Sequence, residues 1–133
     1  MRVVLDTNIV LDAFVFDDPA ARPLKSALAA GRLEWIATKA MRDELARVLA
    51  YPKIVPRMVF YKVTANHVLA QFDGQATLVD TASKAGVTCR DPDDQKFIDL
   101  AVSHQALLLS KDQAVLCMRK RLLTFSVTTQ SVL

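Results

Sequence analysis

Hydrophobic residues in this chain fall into two kinds of segment that alternate along the sequence. Short apolar runs bounded by polar residues predict strands. They comprise residues 2–5, 33–37 and 107–109, with weaker candidates at 76–79 and 125–129. Segments with apolar residues three and four positions apart predict helices. These cover residues 9–16, 22–30, the stretch between Thr38 and Pro52, 64–72 and 91–105.

Punctuating residues support several of these boundaries. Gly31 is a natural C-cap for the second helix, and Thr38 can cap the third helix, which Pro52 ends. Asp91 followed by Pro92 is typical of a helix start. Regular alternation of strands and helices predicts an α/β sandwich around a mostly parallel central sheet.

Composition predicts one globular domain over residues 1–133. The chain is 52% hydrophobic but only 7% aromatic, and no stretch has the composition of a linker. No apolar run is long enough to span a membrane, and an acid at position 6 argues against a secretory signal, so we expect a cytoplasmic protein. Cys89 and Cys117 lack the spacing of a metal motif and are predicted to be reduced thiols.

Four acidic residues occupy unusual positions. Asp6 and Asp112 each follow a predicted strand, where parallel sheets form their binding crevices. Glu44 lies at the edge of an apolar helical stripe, and Asp94 lies three and four residues before Phe97 and Ile98, on the buried face of its helix. Three of them have a simpler explanation alone: Asp6 and Asp94 can cap helices, and Asp112 can be a turn residue.

Taken together, the four carboxylates predict a cation site. At about 6 Å separation each pair repels by roughly 3 kcal/mol, which a domain of ordinary stability cannot tolerate for six pairs. A Mg²⁺ or Mn²⁺ ion would neutralise them and could activate water for attack on a phosphodiester. His67 and His104 lack ligand spacing, so zinc is disfavoured.

Charge favours an anionic substrate. The net charge is +3, but if four acids converge, the remaining ten acids and 17 bases leave +7 for the rest of the surface. Bases and aromatic residues also interleave between Tyr51 and Lys62. This segment can bind a single nucleic-acid strand, although a solvated connection explains it as well. The candidate nucleic-acid-binding residues are Lys53, Arg57, Lys62 and Lys111.

Four blocks of this sequence resemble PIN-domain proteins, particularly the VapC-like toxins of toxin-antitoxin pairs. The similarity covers almost the whole chain. The blocks are residues 3–8, Glu44-Leu45 with Val48-Leu49, residues 91–97, and Leu108-Leu109-Ser110-Lys111-Asp112. Lys111 stands where that family usually has glycine, so this side chain either contacts phosphate, tunes the neighbouring acid or points away.

The resemblance implies a PIN-like three-layer α/β/α sandwich that cleaves single-stranded RNA with Mg²⁺ or Mn²⁺. It further implies a homodimer or higher oligomer that a small antitoxin protein inhibits. By match, the metal-binding and catalytic residues are Asp6, Glu44, Asp94 and Asp112. Asn8 and Ser110 would assist, with Asp93 as a further candidate, whereas Asp99 is expected to be solvated.

Two other functions remain open at this level. A phosphatase of the haloacid-dehalogenase type would use a strand-end aspartate such as Asp6 as its nucleophile, but it needs a second aspartate where this chain has Asn8. A PIN-like module that binds RNA or protein without cleavage is the non-enzymatic alternative. The presence of all four acids favours the nuclease.

Overall fold

A computed structural model describes all residues, 1–133, and its centre is a five-stranded sheet. The strands run in the spatial order β3-β2-β1-β4-β5, and every neighbouring pair is parallel. Their bounds are β1 Arg2–Leu5, β2 Glu34–Ala37, β3 Ala76–Leu78, β4 Leu107–Leu109 and β5 Thr129–Gln130. The predicted α/β class with a mostly parallel sheet is therefore confirmed.

Eight α-helices connect or flank these strands. They are α1 Thr7–Phe14, α2 Arg22–Ala29, α3 Lys39–Val48, α4 Val55–Phe60, α5 Ala65–Gln75, α6 Gln95–His104, α7 Gln113–Leu116 and α8 Arg119–Leu123. Short 3-10 turns precede α2 and α6. None of the helices is both long enough and apolar enough to cross a bilayer.

The middle of the sheet is buried on both faces. Leu108 in β4 is fully buried, and Trp35 in β2 is almost completely so. The indole ring of Trp35 stacks on Phe14 of α1 and meets Phe72 of α5 edge-on, with ring centroids 5.7 and 5.0 Å apart. Helices α1 and α5 thus pack with the strands in one hydrophobic cluster, whose residues range from Val3 to Val127.

Pairing of β1 with β4 brings distant acids together. The register places Leu5 opposite Leu109, and the amide of Asp6 donates to the carbonyl of Leu109 at 3.0 Å. Both strands end at the same edge because they are parallel. Residues 6 and 110 therefore lie side by side although 104 positions separate them in sequence.

Several predicted boundaries were wrong. The strand predicted at 125–129 shares only Thr129 with β5, because the chain first turns through Ser126, whose φ is +62°. The sequence predicts no helix directly after Pro52, yet this segment contains α4, with Pro56 in its first turn. Helix α1 begins at Thr7, earlier than predicted, with Asp6 at the N-cap position.

Side chains of α6 hold the long connection between β3 and α6. Asp99 accepts from the amide of Ala85 at 2.9 Å and from the side chain of Gln95 at 2.7 Å. Gln95 also bonds the carbonyl of Val87 and the amide of Cys89. The expectation that Asp99 is merely solvated was therefore wrong: it is half-buried and fixes this connection.

Replacing Asp99 should loosen the connection. We expect Asp99→Ala to lower the free energy of unfolding by about 1–3 kcal/mol, because it leaves the Ala85 amide and the Gln95 side chain without their acceptor. Urea denaturation measures the loss, and hydrogen exchange should quicken at Ala85. Asp99→Asn keeps one acceptor oxygen and should lose less. Equal stability of Asp99→Ala and the wild type would contradict this role.

Candidate metal centre

Three aspartates meet at the carboxyl edge of the sheet. One carboxylate oxygen from each of Asp6, Asp94 and Asp112 lies within 4.8 Å of the other two. Asp6 directly follows β1, and Asp112 lies three residues beyond the end of β4. Asp94 ends the 3-10 turn that leads into α6, so a third element of the chain completes the group. An all-oxygen donor set of this kind suits Mg²⁺ or Mn²⁺.

Ser110 links two members of the group. Its hydroxyl, which is completely buried, donates to Oδ2 of Asp6 at 2.6 Å and accepts from the backbone amide of Asp112 at 3.1 Å. Asp112 in turn accepts from the amide of Ala114 at 2.8 Å and so caps α7. These bonds orient two of the three carboxylates at the edge of the sheet.

Asp94 is the least satisfied of the three. Its side chain is only 7% exposed, and its Oδ2 is buried without a hydrogen-bond partner. The alternative that Asp94 merely caps the helix does not hold, since Asp91 accepts from the amide of Asp93 and caps this turn. A buried carboxylate oxygen with no donor is costly, and a bound cation would remove that cost.

Burial and neighbouring acids change the protonation of the group. Burial, together with the hydrogen bond to the carboxyl of Asp112 and the negative charge of Asp6, raises the pKa of Asp94 to about 8. Burial also raises the pKa of Asp6, although the hydrogen bond from Ser110 opposes this. Without a cation, the cluster therefore retains a proton near neutral pH.

Glu44 lies beside the three aspartates, but protein donors occupy its oxygens. Oε1 is 2.8 Å from the ammonium nitrogen of Lys96, and Oε2 accepts a hydrogen bond from the hydroxyl of Thr7. The charge of Glu44 still reaches Asp6, where it helps to raise the pKa. The structure thus brings Glu44 to the site without making it equivalent to the aspartates.

Two of the predicted assisting residues bring no side-chain contact to the cluster, although the backbone of Asn8 hydrogen-bonds to Asp6. Asn8 is exposed on α1, and the carboxylate of Asp93 is exposed while its backbone carbonyl accepts a bond from Lys96. Sequence reasoning missed Thr7 and Lys96, which contact Glu44 directly. The signal for each was modest: Thr7 lies between Asp6 and Asn8, and Lys96 follows Asp94 by two residues.

Lys111 pairs with an acid that is not one of the three aspartates. Its ammonium group pairs with the largely buried carboxylate of Asp12 at 2.5 Å. The φ angle of Lys111 is not positive, so the backbone at this position does not require glycine. The substitution for glycine is therefore compatible with the loop.

The other candidate nucleic-acid-binding residues surround α4. Lys53, Arg57 and Lys62 are all exposed. The guanidinium of Arg57 lies 3.6 Å from the ring centroid of Phe16, which fixes its orientation by a cation–π contact. The structure thus provides an exposed basic surface next to aromatic rings in this segment.

Comparison with known proteins identifies the family. A family model described as PIN domain matches residues 2–114, which is most of the chain. The chain therefore belongs to the PIN-domain family, a family of nucleases that typically use divalent metals. The predicted resemblance is confirmed.

A solved structure has the same fold. The match is to a chain of VapBC2 from Rickettsia felis, whose crystal structure was determined bound to a DNA fragment from their promoter. The TM-score is 0.65 at 14% sequence identity, with 97% of this chain and 98% of that chain covered. This similarity supports the predicted PIN-like sandwich. No curated protein matches the sequence.

Stability without metal should depend on pH in a defined direction. The folded protein holds a proton on Asp94 up to about pH 8, whereas the unfolded chain releases it near the ordinary value of 3.8. The unfolded state is therefore favoured as pH rises through this window, and the free energy of unfolding should fall between about pH 4 and pH 8. Thermal denaturation in a chelator measures the decline.

The variant Asp94→Asn tests the assignment of that decline. It carries no titrating group at this position, so it should lose much of the pH dependence and be more stable than the wild type at pH 8 without metal. Asp93→Asn, an exposed neighbour, should retain the wild-type behaviour. Lower stability of Asp94→Asn than of the wild type at pH 8 would contradict the role of charge repulsion.

Proposed function

We propose that this protein is a Mg²⁺- or Mn²⁺-dependent endoribonuclease that hydrolyses phosphodiester bonds in single-stranded RNA. The observation that carries the proposal is the buried, unpartnered Oδ2 of Asp94 within 4.8 Å of oxygens from two further aspartates. A divalent cation would neutralise this group and give the Asp94 oxygen a partner. Membership of a nuclease family makes hydrolysis of nucleic acid the reaction to expect.

In this proposal the ion is held by Asp6, Asp94 and Asp112. Glu44 lies beside them and contributes negative charge without binding the ion directly. A bound divalent ion supplies a water of lowered pKa and stabilises negative charge on phosphate and leaving-group oxygens. Ser110 keeps the carboxylate of Asp6 directed toward the site. The proton that Asp94 retains near neutral pH is released when the ion binds, so metal affinity should increase with pH.

Other side chains are poorly placed to act as nucleophiles or bases. Burial raises the pKa of the Cys89 thiol, which lowers the fraction of reactive thiolate. His104 hydrogen-bonds Arg2 at the start of β1, the opposite end of the strand from Asp6, and His67 is exposed on α5. Direct attack by water, rather than a covalent intermediate, fits these positions.

Surface charge supports a polyanionic substrate. The ten acids outside the candidate set and the 17 bases leave a net charge of +7, and Lys53, Arg57 and Lys62 are exposed together around α4. We propose that this surface binds RNA phosphates, with aromatic residues of the same segment available for stacking. Lys111 is assigned no such part, because Asp12 already neutralises it.

We also propose that the protein is the toxin of a toxin-antitoxin pair. Structural similarity to a chain of the VapBC2 complex supports this assignment. Val59 and Phe60 on α4 are 72% and 77% exposed, which is unusual for such apolar side chains and suits a protein–protein contact. An antitoxin partner and a homodimer or higher oligomer are therefore part of the proposal.

The two alternatives are weaker. Family membership does not support a haloacid-dehalogenase-type phosphatase, and Asn8, at the position where such an enzyme needs its second aspartate, is exposed on α1. A binding module without catalysis has no need for three converging aspartates, two of them buried. It would, however, bind RNA without cleaving it, which the following assay detects.

Purified protein should cleave single-stranded RNA when Mn²⁺ or Mg²⁺ is supplied and should be inactive with a chelator. Asp6→Asn, Asp94→Asn and Asp112→Asn should each reduce the rate by about a hundredfold or more, since each removes a proposed ligand. Asp80→Asn alters an exposed acid in the long connection and should leave the rate unchanged. Single-stranded DNA and duplex RNA of the same sequence test the substrate class.

Metal-independent cleavage, or cleavage that survives all three aspartate substitutions, would contradict the mechanism. Binding of RNA without cleavage under any metal condition would instead support the non-enzymatic module. Rapid cleavage of DNA with no cleavage of RNA would retain the metal centre and reject the proposed substrate.

A further inference from the structure

Lys96 lies at the metal centre, yet the mechanism above gives it no part. It is in the first turn of α6, two residues after Asp94. Its Nζ is 2.8 Å from Oε1 of Glu44, and it also donates to the backbone carbonyl of Asp93. Thr7 donates to the other oxygen of Glu44. Both oxygens of this carboxylate are thus held by the protein itself.

This ion pair differs from the others in the chain by its burial. Lys96 and Glu44 have side-chain exposures of 26% and 17%, so both are less than one third exposed. The Lys39–Asp43 pair on the same helix as Glu44 is 84% and 45% exposed. Solvent screens the exposed pair strongly, whereas the ammonium group of Lys96 is a shielded positive charge held against Glu44.

Hydrogen-bond counting leaves Lys96 with spare capacity. An ammonium group carries three donors, and the carboxylate of Glu44 and the carbonyl of Asp93 use two of them. The third is free for an anionic oxygen. A phosphate of the substrate backbone, bound at the adjacent aspartates, is such an anion.

We propose that Lys96 is a resident cation of this centre that positions Glu44 and keeps it out of the direct ligand set. The three aspartates then hold a single divalent ion, and the ammonium group of Lys96 supplies the positive charge beside Glu44. Its free donor contacts the substrate phosphate. This inference rests on the proposed function of the site.

Electrostatics makes the proposal testable by metal binding alone. Four carboxylates near one ion carry four negative charges, and Lys96 offsets one of them. Removal of the ammonium charge should therefore tighten metal binding, and removal of the Glu44 charge should weaken it. Removal of both should restore nearly the original affinity. A purely structural role for Lys96 predicts weaker binding in every variant.

The affinity of each variant for Mn²⁺ is measured by titration. Calorimetry and the electron paramagnetic resonance signal of free Mn²⁺ detect the binding. We expect one ion per wild-type chain, about tenfold tighter binding for Lys96→Met and about tenfold weaker binding for Glu44→Gln. The double variant should return to within about threefold of the wild type. Lys39→Met is the matched control and should change nothing.

Cleavage assays add a second readout. At saturating Mn²⁺, Lys96→Met should cleave RNA about tenfold more slowly although it binds metal more tightly, because the phosphate contact is lost. Unchanged or weakened Mn²⁺ affinity in Lys96→Met would overturn the inference while leaving the nuclease intact. Failure of the wild type to bind Mn²⁺ would overturn the proposed function itself.

Discussion

Repulsion among three neighbouring carboxylates, two of them buried, is the constraint on which this structure depends. Oxygens of Asp6, Asp94 and Asp112 lie within 4.8 Å of one another, and burial together with the neighbouring acids raises the pKa of Asp94 to about 8. An arrangement of this kind opposes folding unless a proton or a cation intervenes. The hydrophobic sheet therefore stabilises a site that is unfavourable by itself, and a ligand of opposite charge recovers the cost.

Parallel pairing of β1 with β4 imposes this arrangement. The two strands end at one edge, and Ser110 bonds to both Asp6 and Asp112. Asp94 arrives from another direction, through a turn that Asp91 caps. Glu44, in contrast, is balanced by Lys96 and Thr7. The acidic centre thus has one side suited to a cation and one side on which the protein supplies its own positive charge.

Predictability from sequence differed among these residues for physical reasons. Asp6 and Asp112 follow apolar runs that form strands, and strand ends in a parallel sheet converge, so position alone indicated a shared site. Asp94 had two explanations, and only the bond between Asp91 and the amide of Asp93 separated them. Lys111 departs from the family pattern, but its contact with Asp12 is invisible in the order of residues.

Periodicity and punctuation in the sequence determined the fold class, the three inner strands and the main helices, because burial demands these patterns locally. The helix α4 and the bounds of the two-residue strand β5 were not predicted, since each of these short elements depends more on its neighbours than on its own residues. Only the tertiary structure decided which partner each carboxylate has. Oδ2 of Asp94 has no hydrogen-bond donor, whereas Glu44 forms an ion pair with Lys96. The sequence does not reveal this difference, because the partners of a charged group depend on distances across the fold.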